Sequence, residues 1–173
     1  MPSEHADQYE VVIPENWKSD KDEYPDSPDF IAQRVSDVSS EAKFHLVHSP
    51  GGKSGLRSEG GDEIPRETSL EEELDRDMKS YADLGDSVKL VVLPEREIGG
   101  ERAVGLRVRF IHGNSSWLRE EWHVVRHDGV WGFRLTSGAS RDVIGQDAYA
   151  ILDSFRWIGP SPSPSPSAEE SEE

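Results

Sequence analysis

The stretch that decides the fold is SVKLVVLPEREIGGERAVGLRVRFIHGNSSWLREEWHVVRHDGVWGFRLTS, residues 87–137. It holds four apolar-rich runs separated by Gly99-Gly100, Gly113-Asn114 and Asp128-Gly129. Each dipeptide admits the positive backbone angles that a tight hairpin demands. Consecutive hairpins make an antiparallel meander. Side chains alternate between faces along each strand. Val104, Leu106, Val108 and Phe110 therefore share one face of the second run, with Arg107 and Arg109 on the other. In the third run Trp117, Arg119, Glu121 and His123 oppose Leu118, Trp122 and Val124. The expectation is one largely apolar sheet face, and one face carrying charge around aromatic residues. Arg–Glu pairs across such a face contribute about 0.2–1 kcal/mol each.

Working outward, YEVVIP (9–14) reads as an opening strand closed by Pro14 and the Asn16-Trp17 turn. DFIAQRVS (29–36) and KFHLVHS (43–49) read as a strand pair. A helix is predicted over 70–84, capped by Thr68 or Ser69 with a Glu three residues on, and ended by Gly85. Its stripe is Leu70, Leu74, Met78 and Tyr81, while Glu71, Glu72, Asp75 and Lys79 face water. A second helix is predicted over 141–155, capped by Ser140, with Ile144, Ala148, Ile151, Leu152 and Phe155 inward. A short strand in FRWIG follows. Residues 9–158 form one domain in this reading. Residues 1–8 and the Ser/Pro/Glu tail 159–173 lack the apolar residues to offset their ordering entropy and are expected to be disordered.

Composition narrows the function classes. The chain of 173 residues has no cysteine, which excludes disulfides, thiolate metal sites and cysteine nucleophiles. The formal charge of −16 is concentrated at the ends: nine acids against Lys18 and Lys21 in 1–29, and four acids with no base in 160–173. Such a charge opposes binding to nucleic acid or anionic membrane. No apolar run is long enough to span a bilayer, and MPSEHADQYE lacks the basic and apolar regions of a signal peptide. A cytoplasmic protein is expected.

Individual motifs yield little chemistry. Gly52-Lys53-Ser54 imitates the end of a phosphate-binding loop, but the first glycine of that motif falls on Val47, and GLRSEGGDEIPRE cannot start a helix. The segment from about Pro50 to Glu67 reads instead as a long loop, either a disordered insertion or a recognition loop. His123 and His127 on one strand stand ~13 Å apart, too far for one metal ion, and His45 and His48 face opposite ways. Glu120 and Glu121 likewise point to opposite faces and make a poor acid–base pair. No G-x-S-x-G elbow occurs. No catalytic, cofactor-binding or metal-ligating residues are expected. Trp122 and Trp131 are assigned to the core. Trp117 is read as a partner anchor, in a protein-binding surface with Arg119, Glu121, His123, Arg107 and Arg109.

Three short signatures carry a resemblance. They are Pro14-Glu15-Asn16-Trp17, the turn Ile98-Gly99-Gly100-Glu101-Arg102-Ala103, and the closing Asp153-Ser154-Phe155-Arg156-Trp157. With this order of elements the chain resembles the PsbP-like superfamily over about residues 9–158. That superfamily includes photosystem II PsbP, a Ran-binding nuclear-import factor, and bacterial DcrB-like and LpqN-type proteins. The lipid-accepting cysteine of the lipoprotein members has no counterpart here. The resemblance implies an α+β fold, an α/β/α sandwich around a mostly antiparallel sheet of six or seven strands. It also implies a non-catalytic protein-binding role, adaptor or chaperone-like. The alternatives are a regulator of a small GTPase, and a small-ligand-binding protein or enzyme. A homodimer through a free sheet edge is a further expectation.

Overall fold

The computed structural model describes residues 8–24, 26–35, 42–50, 69–126, 128–138 and 142–158. The glycine loop, the caps assigned to Thr68 and Ser140, His127 and most of both predicted tails lie outside them.

The meander forms as its turns require. Strands β5 (Val88–Ile98), β6 (Glu101–His112), β7 (Ser115–Arg126) and β8 (Gly129–Thr136) pair antiparallel in sequence order. Gly99, Gly100 and Gly113 take positive φ at the hairpin tips. On the far side of β8 lie β4 (Lys43–Pro50), β3 (Phe30–Arg34) and β2 (Trp17–Ser19). The sheet thus has seven strands in the order β2-β3-β4-β8-β7-β6-β5, all antiparallel. A separate two-stranded ribbon joins β1 (Tyr9–Glu10) to β9 (Arg156–Trp157). The carbonyl of Gln8, at the edge of the predicted N-terminal tail, accepts a bond from the Ile158 N–H at 3.0 Å in the same ribbon.

Helix α1 (Leu70–Ala82) begins where Ser69 Oγ accepts from the Glu72 N–H at 3.2 Å, and a 3₁₀ turn at Gly85–Ser87 leads into β5. Helix α2 (Gln146–Asp153) is shorter than its apolar spacing predicts. Asp142 pairs with Arg109 and Ser116 ahead of the helix, and Gly145 takes the cap position. The opening strand is also shorter than YEVVIP, whereas Trp17, expected in the Asn16-Trp17 turn, begins an edge strand over Trp17–Ser19.

The two helices cover opposite sheet faces. Under α2 the main core gathers Phe30, Phe44, Leu46, Trp122, Trp131, Phe133 and Leu135 from the sheet with Ile151, Leu152 and Phe155. Aromatic contacts tie the ribbon to it: Tyr9 stacks on Phe155 at 4.8 Å between centroids, and Phe133 meets Phe155 edge-on at 4.9 Å. Under α1 a smaller core joins Tyr81, Leu74 and Met78 to Val88, Leu106 and Val108. Each helix buries one stripe against one face, giving the α/β/α sandwich. Among the described residues no helix is long and apolar enough to cross a membrane.

Candidate functional site

Helix α1 lies over β5, β6 and β7. The same face continues across β8, β4, β3 and β2, where no described helix covers it. Strand register places Arg119 opposite Thr136, Glu121 opposite Arg134, Arg134 opposite His45, and His45 opposite Ile31. These side chains share one face because partners across a ladder point the same way.

On the uncovered part, Ile31, Lys43, His45, Trp117, Arg119, Arg134, Thr136 and Ser137 line an open groove of about 400 Å³. Trp117 stacks on Phe110 with centroids 4.0 Å apart and planes 12° from parallel. The Arg119 guanidinium lies over both rings, 5.1 Å from Phe110 and 5.2 Å from Trp117, a cation–π arrangement. Its Nη1 donates to Tyr81 Oη at 3.2 Å, but its Nε is buried without a hydrogen-bond partner. Burial and the charges of Arg134 and Arg119 push the His45 imidazole below its ordinary range, so it stays neutral at pH 7.

A polar cluster sits beside the groove, under α1. Tyr81 Oη donates to Glu121 Oε1 at 2.6 Å, and Arg134 donates to the same oxygen at 2.8 Å. Asp77 pairs with His123 Nε2. Burial pushes the Tyr81 phenol up to about 12, and its bond to Glu121 adds to the shift. Burial disfavours the charged forms of Asp77 and His123. Their mutual bond and attraction outweigh it, so the Asp77 carboxyl lies below its usual range and the His123 imidazole above its own.

The six residues expected to form one surface do not lie together. Register pairs Val108 with Arg119 and Arg107 with Glu120. Val104, Leu106, Val108 and Phe110 are thus on the Trp117 face, and Arg107 and Arg109 are on the opposite face. There Arg107 donates to Glu120 at 2.8 Å, and Arg109 pairs with Asp142. Glu121 and His123 share the Trp117 face but lie beneath α1. Only Trp117 and Arg119 open into the groove. The sequence separates the faces within each strand correctly, but matching faces between β6 and β7 requires the register, and a slip of one residue inverts it.

The fold is similar to those of solved structures. LpqN of Mycobacterium tuberculosis aligns with a TM-score of 0.51 at 12% identity, over 87% of this chain and 83% of its own. Cyanobacterial PsbP (CyanoP) from Synechocystis sp. PCC 6803 aligns with a TM-score of 0.51 at 14% identity, over 90% of each chain. This is a PsbP-like fold. No family model matches the sequence, and no curated protein matches it. At these identities the likeness is one of fold, and residue roles rest on this chain's own geometry.

Within the PsbP-like sheet, sequence reasoning missed Lys43, His45 and Arg134 as neighbours of Trp117, and Asp77 as a neighbour of His123. Arg134 lies on β8, which the Asp128-Gly129 hairpin already places beside β7, but nothing local shows that β4, with Lys43 and His45, pairs with β8. Asp77 is four residues before Tyr81 and four after Glu73, so all three share a helical stripe. That acidic stripe borders the apolar one and was the available signal.

Proposed function

We propose that this chain is a non-catalytic protein-binding domain, adaptor or chaperone-like, which receives an acidic segment of its partner along the uncovered half of the α1 face. The groove carries this reading. In a chain of net charge −16 it brings Lys43, Arg119 and Arg134 to one concavity beside Trp117. A cationic concavity with low-dielectric walls focuses the field toward an approaching anion. Arg guanidinium groups match carboxylate geometry, and Trp and Arg are the side chains that most often anchor protein interfaces.

The shape favours an extended segment over a small molecule. A second depression, lined by Lys18, Gln33, Arg34 and Val35 but also by the acidic Asp20 and Glu23, adjoins the first through Ile31, so the cationic part of the path is the first groove. Ile31 and Val35 are exposed along this path and offer apolar contacts between the charged ones.

Selection from a random peptide library on the full chain tests the reading. Acid-rich peptides with an apolar residue are expected. Their affinity should fall roughly tenfold or more in the Lys43→Ala/Arg119→Ala variant, since each charge-assisted bond is worth about 1.5–3 kcal/mol. Peptides that bind the variant as tightly as the parent chain, or a library that yields no binder, would overturn it.

A further inference from the structure

Asp77 from α1 and Glu121 and His123 from β7 each offer one ligand atom, and these atoms lie within 4.8 Å of one another. Glu121 and His123 are two residues apart on one strand face, directly beneath Asp77, so two rigid elements position the trio. A cavity of about 180 Å³ adjoins them, lined also by Val47, Ser49, Gly132 and Arg134 and by Glu73, which pairs with Arg76. Two carboxylates held this close need positive charge beside them, which Arg134 on Glu121 and His123 on Asp77 supply here and a bound cation would reinforce.

The atoms the ion would need are held by the trio itself, with His123 Nε2 bonded to Asp77. Tyr81 and Arg134 both bond Glu121 Oε1, so Oε2 takes part in neither bond. His123 Nδ1 is buried without a partner, and Nε2 is the nitrogen turned toward Asp77. An imidazole nitrogen with two carboxylate oxygens is a donor set for borderline divalent ions, with water completing the coordination. Around such an ion neighbouring ligand atoms stand roughly 3–3.5 Å apart, so side-chain rotations that draw the trio in from its 4.8 Å span complete the site.

We propose that Asp77, Glu121 and His123 bind a divalent cation of the zinc, cobalt and manganese class. The ion displaces the proton shared between His123 Nε2 and Asp77, which leaves to solvent, and it ties α1 to β7 in place of that direct contact, with Arg134 remaining on the other oxygen of Glu121. The site needs no partner protein and stands or falls independently of the groove.

The test uses the full chain, freed of metal by chelation and titrated with Co²⁺ and with Zn²⁺ while heat and visible absorption are followed. One ion per chain is expected at this site. Affinity should fall roughly tenfold or more in Asp77→Asn and in His123→Gln. Glu72→Gln, on the exposed face of α1, should bind as the parent chain does. Histidine nitrogen NMR of the parent chain keeps the proposal testable even where a variant fails to fold: Zn²⁺ should shift the His123 Nε2 resonance. A parent chain that binds no ion, variants that bind undiminished, or an unmoved Nε2 resonance would each overturn it.

Discussion

The Trp157 indole lies against Gly99 so closely that a Cβ added to Gly99 would stand 2.7 Å from the ring. The indole N–H donates to the Ile98 carbonyl at 2.9 Å. The turn of the β5–β6 hairpin and the closing strand of the chain are thereby locked together. Gly99 also has φ of +61°, which disfavours any side chain. Gly99→Ala should therefore destabilise by at least about 2 kcal/mol, the sum of left-handed strain and overpacking. Gly100→Ala, with positive φ but no atom within 4 Å of the added carbon, should cost less, about 1–2 kcal/mol. Urea unfolding of the two variants measures the difference.

Arg107 and Arg119 sit on adjacent strands yet have separate roles. Glu120 is 1% exposed and accepts bonds from Arg107, Trp122 and Tyr149. Arg107→Ala should cost about 2 kcal/mol of stability, because it removes a charged donor from a buried carboxylate. Binding of library-selected peptides should be unchanged. Arg119→Ala should show the opposite pattern, with a small change in melting temperature and weakened peptide binding. Paired thermal and binding measurements on both variants distinguish the two.

Tyr81 and Tyr149 are both pushed up to about 12, by burial first and then by bonds to Glu121 and Glu120. A group whose folded pKa is raised stabilises fully below its unfolded value, here about 10, and that stability drains away as pH climbs toward 12. Alkaline titration followed by tyrosinate absorbance should show these phenols ionising late. In Tyr149→Phe one late step should disappear.

Asp147 predicts the acid limb. Burial raises its carboxyl, but the bonds from Arg34 and from Trp17, the latter at 2.9 Å, outweigh this and hold it below the usual range. Its stabilisation is present above the unfolded value of about 4 and is lost as pH falls through the folded one. Asp147→Asn should lower stability at pH 7 and flatten the dependence below pH 4. Denaturant midpoints across that range provide the check.

Much of this architecture is legible in particular residues. Gly99-Gly100 and Gly113 mark hairpins because only a few residue types tolerate their backbone angles. Ser69 marks the start of α1 through a bond to a nearby N–H, and Leu70, Leu74, Met78 and Tyr81 mark its inner stripe. Trp122 and Trp131 are buried as their size demands. The site is less legible. Trp117 and Arg119 could be picked out on their own strand, but Arg107 and Arg109 were assigned to the wrong side, and Arg134, His45, Lys43 and Asp77 were not connected to them.

The sequence by itself determined what local physics controls: turns, caps, helical stripes, alternation within strands, and an acidic surplus at both ends. The tertiary structure alone decided the pairing of β4 with β8, the register of every ladder and which face each helix covers. Those choices put three cations from β4, β7 and β8 around one groove, and set a helix carboxylate over a strand histidine. Such contacts depend on long-range pairing, where shifting one strand by a single residue turns every side chain to the other face.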